Sequence, residues 1–234
     1  MTRTVAALLL FGISFGYLEA AVVVYLRAIY DPIRHSLHPD RPNGELFPLI
    51  SPQELAAAGP GNPRRLRIEI GREAATIVML AAFGLAAGRN SNQRMAAFAV
   101  VFGLWDIFFY VFLRLMIHWP QSLFTWDILF LIPLPWVGPV LAPVIVAMTL
   151  VVCGLYSLRV DGLPARPLEW MAMIAGGMVV ILSFVWDFRN TMAGGLPNPF
   201  NWPLFSAGEV IALAAFLSAV KRQVSPGFRK LRDS

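Results

Sequence analysis

Six stretches of this chain each approach or exceed the roughly 20 apolar residues that cross a bilayer core, and nothing else in the sequence limits its fold so strongly. They are residues 4–26, 72–88, 95–117, 128–158, 168–186 and 204–220. A backbone in hydrocarbon has no water to bond, so each run must satisfy its own N–H and C=O groups as a helix. With 57% hydrophobic and only 14% charged residues over 234 positions, too little polar surface remains to solvate a globular domain of this size. The expected fold is an all-α membrane protein, one integral membrane domain over residues 1–234 with about six transmembrane helices.

Local signals refine this. The second run is short, and its helix is expected to begin near Arg65. The fourth is long and proline-broken. Pro133, Pro135, Pro139 and Pro143 remove backbone donors, which predicts a break between Leu134 and Pro139 in a kinked or re-entrant helix, with Thr125 or Asp127 capping its start. The N-terminus resembles a signal peptide, with Arg3 ahead of an apolar run and Ala20 and Ala21 beyond it. The run nevertheless continues through Glu19 to Tyr25, so it reads as an uncleaved first span. The single Cys153 can form no internal disulfide and reads as a small core residue.

The long loop at 28–63 is proline-rich and expected to be mostly irregular. Within it, Ser51-Pro52-Gln53-Glu54 is a capping box that predicts a short helix from Pro52 to Ala58, stopped by Gly59. His35, His38 and Asp40 are the weak candidates for a metal. In a loop with no further clustered ligand, solvated side chains are the simpler reading.

A net charge of +5 would raise nucleic acid as a partner for a soluble protein, but here it reads as topology. Arg3, Arg89, Arg94, Arg159, Arg166 and the basic tail 221–234 (Lys221, Arg222, Arg229, Lys230, Arg232) all fall on one side of a six-span arrangement. No Lys or Arg occurs between Arg114 and Arg159. By the positive-inside rule that side is cytoplasmic and the 28–63 loop is extracytoplasmic. The arginines of that loop are offset by Asp31, Asp40, Glu45, Glu54 and Glu69. The tail is expected to lie on anionic lipid head groups.

Charged residues inside the spans point to a site, since each costs at least ~2.5 kcal/mol at the membrane centre on insertion scales. Asp106, Tyr110, Arg114 and His118 recur at intervals of four and make a drifting polar stripe on one helix. Gly12, Gly16 and Ala20 share that spacing and suit close helix packing. Gly12 to Gly16 also matches G-x-S-x-G, but mid-helix it lacks the strand, strained turn and helix that the nucleophile needs. Glu69, Arg72, Glu73 and Thr76 share a face. For Glu69 an interfacial ion pair is the favoured reading, whereas Arg72 and Glu73 divide evenly between scaffold and site. Asp187 stands at the unfavourable end of its helix dipole and calls for a cation, Arg189 or Arg114.

Folding the spans alternately up and down brings Glu19, Arg72, Glu73, Asp106, Tyr110, Arg114, Asp127, Asp187, Arg189 and Glu209 into one half of the membrane, as an outward-facing polar cavity. Carboxylates outnumber arginines there. That excess requires a bound cation, or a held proton on one or more of Glu19, Asp106 and Glu209.

The segments FGYLEAAVVVYLR, REAATIVML, WDIFFYVFLR and TWDILFLIPLPWVGPVLAPV resemble a family of uncharacterised bacterial polytopic integral membrane proteins. The resemblance covers most of the chain apart from the 28–63 loop and the tail. It implies a six-helix fold in the bacterial cytoplasmic (inner) membrane and carries over no activity or catalytic residue. Three functions are open. The reading placed first is binding or translocation of a small cation, proton or polar solute, favoured by the acidic excess and the broken span. The second is an intramembrane enzyme acting on a lipid or lipid-linked substrate, with Asp106 or Glu19 as acid/base and Arg114 or Arg72 holding an anionic head group. The third is a non-catalytic membrane-complex subunit. No haem or classical zinc site is expected, since there are no paired membrane histidines, no third histidine near the loop pair and no Glu-x-x-His repeat. The oligomeric state is not legible.

Overall fold

The structure, a computed structural model, describes residues 2–42, 44–160, 163 and 165–224. The tail positions Arg229, Lys230 and Arg232 lie outside the described residues. The chain folds as α1 (Thr2–Leu37), α2 (Pro52–Ala57), α3 (Asn62–Ala87), α4 (Ser91–Ile117), β1 (Trp126–Phe130), β2 (Trp136–Pro139), α5 (Leu141–Arg159), α6 (Pro167–Val185), α7 (Phe188–Met192) and α8 (Trp202–Val224). Six helices, α1, α3, α4, α5, α6 with α7, and α8, are long and apolar enough to cross a membrane. This is an all-α, multi-pass membrane protein. Short α2 carries the expected capping box, with Glu54 N–H donating to Ser51 Oγ at 3.2 Å and Ser51 N–H donating back to Glu54 Oε2 at 2.8 Å.

Two segments differ from expectation. The first helix does not end near Leu26 but continues through Pro32 to Leu37. Pro32 removes one donor, yet the turn beyond it is held by the Arg34–Asp31 ion pair at 2.5 Å and by His38 N–H donating to the Arg34 carbonyl at 2.8 Å. Basic Arg34 and His35 also suit the negative end of the helix dipole.

Nor is the fourth span a long broken helix. Residues 126–139 form a two-stranded antiparallel hairpin, pairing Trp126 with Pro139, Asp127 with Gly138, Ile128 with Val137 and Phe130 with Trp136. Pro133 and Pro135 fall between the strands and Pro139 at the end of β2, where missing donors disturb the ladder least. Alternating Trp126, Ile128, Phe130 and Val137 favour a pleated conformation. The spanning helix starts only at Leu141, with Val140 as its N-cap in place of Thr125 or Asp127. Thr125 instead accepts the Val140 N–H on its carbonyl at 3.0 Å.

Helix α4 is the axis of the fold, with α1, α3 and α5 packed along it. The approach of α1 depends on Gly16, where a Cβ would sit 2.9 Å from both the Trp105 carbonyl oxygen and Phe108 Cβ. Helices α6 and α8 form a second tight pair. They join the rest largely through an aromatic cluster in which Trp136 of β2 stacks on Phe184, which in turn meets Phe200 and Phe205. Residues 38–42, 44–51, 118–140 and 193–201 share one end, termed here the hairpin end.

Helices α1 and α3 both lie on α4 and meet each other through side chains. Near the opposite end, Phe11 and Phe83 stack with centroids 4.0 Å apart. Toward the hairpin end, side chains of both helices line a gap, and this gap is the largest consequence of the fold for function.

Candidate functional site

The gap holds a cavity of about 300 Å³ walled by α1, α2, α3, β1 and the segment 46–52. Its floor is an ionic cluster. Arg72 on α3 pairs through Nη1 with Glu19 of α1 and through Nη2 with Glu69, and its Nε donates to Glu69 Oε1 at 2.9 Å. Thr76 Oγ1 donates to Glu19 Oε2 at 3.5 Å. Arg72 and Thr76 can both meet the Glu19 carboxylate because a spacing of four puts them on one helix face, and Glu69, three residues before Arg72, shares that guanidinium. Glu19 is only 6% exposed, so this bridge is a buried polar tie between the two helices.

One side wall is the hairpin. Glu73 Oε2 accepts the Leu131 N–H at 2.8 Å, drawing the end of β1 down to the middle of α3. Buried Asp127 accepts the Tyr110 hydroxyl at 2.8 Å and its neighbour Ile128 N–H at 2.8 Å. Asp127 and residues 137–139 are buried and the Ile128 and Leu131 donors are met by carboxylates, as backbone outside a helix requires within a membrane.

Opposite the floor, the continuation of α1 contributes Arg27, Tyr30, Asp31 and Arg34. The Arg27 guanidinium lies 4.1 Å over the Trp119 ring and donates from Nη1 to the Gly44 carbonyl at 3.4 Å. No carboxylate among the described residues comes within ion-pair distance of it. Arg34 donates from Nη1 to Asp31. The Nε atoms of both arginines and the Tyr30 hydroxyl are buried and have no hydrogen-bond partner among the described residues. Much of the remaining surface is hydrocarbon, including Leu26, Leu46, Ile50, Leu55, Phe109 and Ile128.

Of the residues that the sequence groups into one cavity, Glu19, Arg72, Glu73 and Asp127 line this one, and Tyr110 stands behind Asp127. The others lie elsewhere. Asp106, one turn from Tyr110 on α4, has no hydrogen bond or ion pair among the described residues. Arg114 is exposed and closes the end of α4, donating to the carbonyls of His118 at 2.6 Å and Pro120 at 3.2 Å. No chain of hydrogen bonds links it to Asp106. Asp187 is met by amides rather than a cation: Asn198 N–H at 2.8 Å, Asn198 Nδ2 at 2.7 Å and Asn190 Nδ2 at 3.0 Å. Arg189 instead lies 5.9 Å over the Phe188 ring. Glu209 accepts from Thr149 Oγ1 at 3.2 Å between α5 and α8. Among the described residues, His35, His38 and Asp40 belong to no group of three ligands that could hold a metal.

Tyr30, Asp31 and Arg34 are hidden by the proline content of residues 28–63, which reads as loop, and Arg27 by its place just past the apolar run. Their spacing on a helix that tolerates Pro32 was the available signal. Glu69, read as an interfacial partner, shares Arg72 with Glu19 on the cavity floor. No protein-family model, curated protein or solved structure matches the chain.

Proposed function

We propose that this is a bacterial inner-membrane protein, with cytoplasmic termini, that takes a lipid or lipid-linked molecule into the cavity between α1 and α3. One observation carries the reading: the cavity is walled largely by hydrocarbon, yet its unmet polar groups are donors on α1, while its carboxylates are already bonded. Glu19 and Glu69 share Arg72, Asp31 holds Arg34, Glu73 accepts from Leu131 and Asp127 from Tyr110. Such a surface suits an amphiphile with an acceptor-rich head better than a small cation. Glu73 and Asp127 are the carboxyl groups nearest such a ligand and are the ones offered for proton transfer in a reaction on it. The resemblance to bacterial polytopic membrane proteins and the arginine distribution support the location and orientation.

A competing reading, binding of a proton or small cation, draws on the unpartnered Asp106 and on the five carboxylates against three arginines that line the cavity. Thermal-shift measurements on the purified protein with a panel of lipids and a panel of mono- and divalent cations separate the two. A ligand that binds only the folded state stabilises it by an amount that grows with concentration. Stabilisation by lipids that Leu55→Trp, which fills the cavity, abolishes is the expected result. Stabilisation by a cation that Asp106→Asn abolishes, with no lipid effect, would put the competing reading first.

A further inference from the structure

We infer that the cavity recognises the phosphate ester of a lipid, held by Arg27, Tyr30 and Arg34 with the hydrocarbon tail in the apolar gap between α1 and α3. This rests on the lipid reading above and adds the chemistry of the head group. Three features of the α1 wall point to it.

The first is which guanidinium atoms are free. Arg27 and Arg34 each spend Nη1, on Gly44 and Asp31 respectively, while the Nε of both is buried and without a partner among the described residues, which leaves the Nε–Nη2 edge unused. Nε and Nη2 form one planar edge of the guanidinium, and two parallel N–H bonds from such an edge match a pair of oxygens on phosphate or carboxylate. Two edges and the Tyr30 hydroxyl offer more donors than the two oxygens of a carboxylate can use well. A phosphate ester presents three or four.

The second is position along the helix. Arg27, Tyr30 and Arg34 recur at three and four residues, so they share one face of α1, with Arg34 two turns above Arg27. The apolar run of α1 ends at Leu26. About 20 residues cross the hydrocarbon core, which puts Arg27 at head-group level and Glu19 about 12 Å deeper at the helical rise. Arginines at this depth ordinarily extend their heads into water. Here they line a cavity instead.

The third is charge segregation. The carboxylates of Glu19, Glu69 and Glu73 stand around Arg72 at the floor, below the level of Arg27. Two acids face the α1 donors: Asp31, bonded to Arg34 through the edge opposite the free one, and buried Asp127, whose charge acts on Arg27 from β1 and which is already bonded to Tyr110 and the Ile128 N–H. A phosphate therefore meets the arginines without displacing an ion pair. Arg27, which has no direct ion pair among the described residues, gains one.

The test uses the full-length protein in detergent, with binding followed by native mass spectrometry. The probes are dioleoyl phosphatidic acid, dioleoylglycerol with the same chains and no phosphate, and inorganic phosphate. Phosphatidic acid is expected to bind at least about tenfold more tightly than either, since each charged hydrogen bond is worth a factor of that order. Tyr30→Phe, which removes no bond within the protein, should weaken it while the melting temperature without lipid stays near that of the parent, and Arg27→Gln and Arg34→Gln should weaken it further. Arg27→Lys keeps the charge and loses the planar edge, so it should weaken binding as well. Equal binding of phosphatidic acid and dioleoylglycerol, or an Arg27→Lys protein that binds like the parent, overturns the phosphate assignment and leaves the lipid reading standing. Failure of both lipids to bind removes both, and inorganic phosphate binding as tightly as phosphatidic acid removes the lipid as its source.

Discussion

The backbone N–H of Leu131, in the hairpin, donates to the Glu73 carboxylate of α3 across 2.8 Å. This bond ties the one non-helical element of the spanning region to the helix that forms the far side of the cavity, and Glu73 is only 8% exposed. Glu73→Ala strands the Leu131 donor and should cost about 1.5–3 kcal/mol, the range for a hydrogen bond to a charged group. Glu73→Gln keeps an acceptor and should cost clearly less. Amide hydrogen exchange at Leu131 is the direct measurement, faster in Glu73→Ala and close to the parent in Glu73→Gln.

The Glu19–Arg72–Glu69 cluster makes a sharper prediction because its members are unequal. Arg72→Gln leaves two carboxylates in a largely buried place without their cation and should destabilise by about 3 kcal/mol or more, as broken buried pairs do. Glu19→Gln removes one acid and leaves Arg72 still paired with Glu69, so its cost should be smaller. The double variant should be more stable than the two single losses add up to. Strict additivity in denaturation of the purified protein would mean that the two side chains do not depend on each other.

Adjacent glycines on α6 test the second helix pair. A Cβ at Gly176 would lie 2.6 Å from the Gly208 carbonyl oxygen, whereas one at Gly177 meets nothing within 4 Å. Gly176→Ala must push α8 away and should cost about 1–3 kcal/mol, the usual penalty for overpacking. Gly177→Ala should be neutral or stabilising by up to about 1 kcal/mol through helix propensity. Melting temperatures of the two variants should therefore move apart, and a similar fall in both would show that α6 and α8 do not meet at Gly176.

Orientation is open to a chemical test. Single cysteines at Asp40 and Gln121, both exposed at the hairpin end, should react with an impermeant thiol reagent on intact cells in a Cys153→Ala background. A cysteine at exposed Ser91, at the other end, should react only after lysis. The reverse pattern would invert the topology and turn the cavity toward the cytoplasm.

The helices were legible because apolar run length is a direct physical requirement of a bilayer, and so was α2, whose capping box is written in four consecutive residues. Two things were not. Whether the segment around Pro133 and Pro135 kinks a helix or folds into a hairpin depends on an acceptor, Glu73, 58 positions away in the chain. The extension of α1 past Pro32 rests on the pair formed by Asp31 and Arg34, which a proline-based loop reading overrides. The candidate site followed these errors. Its floor and hairpin wall were found from charges inside apolar runs, while the arginine wall was lost with the last turns of α1. Arg114, Asp187 and Arg189 were drawn in because they are charged and near helix ends, yet backbone carbonyls, asparagine amides and a phenyl ring meet them locally.

The capping box of α2 gives the cavity a pH dependence with a definite sign. Ser51 donates its backbone N–H and its hydroxyl to Glu54, at 2.8 and 2.7 Å, and these bonds hold the Glu54 carboxyl below its ordinary range. A carboxyl whose folded value is lowered binds its proton more readily in the unfolded chain. Its contribution to stability is then complete above the unfolded value, about 4.3, and is lost as pH falls through the folded value. Helix α2 packs Leu55, 5% exposed, into the cavity wall, so acid should loosen this wall before the spanning helices respond. Hydrogen exchange over residues 52–57, corrected for the intrinsic pH dependence of exchange, should rise relative to α4 as pH is lowered below about 4. Glu54→Gln, which keeps an acceptor but carries no titrating charge, should lack this acid-dependent component. Ser51→Ala should loosen α2 at every pH by about 1 kcal/mol, the usual cost of a lost N-cap. If the parent and Glu54→Gln proteins showed the same acid response, the loosening would have to come from a group other than Glu54.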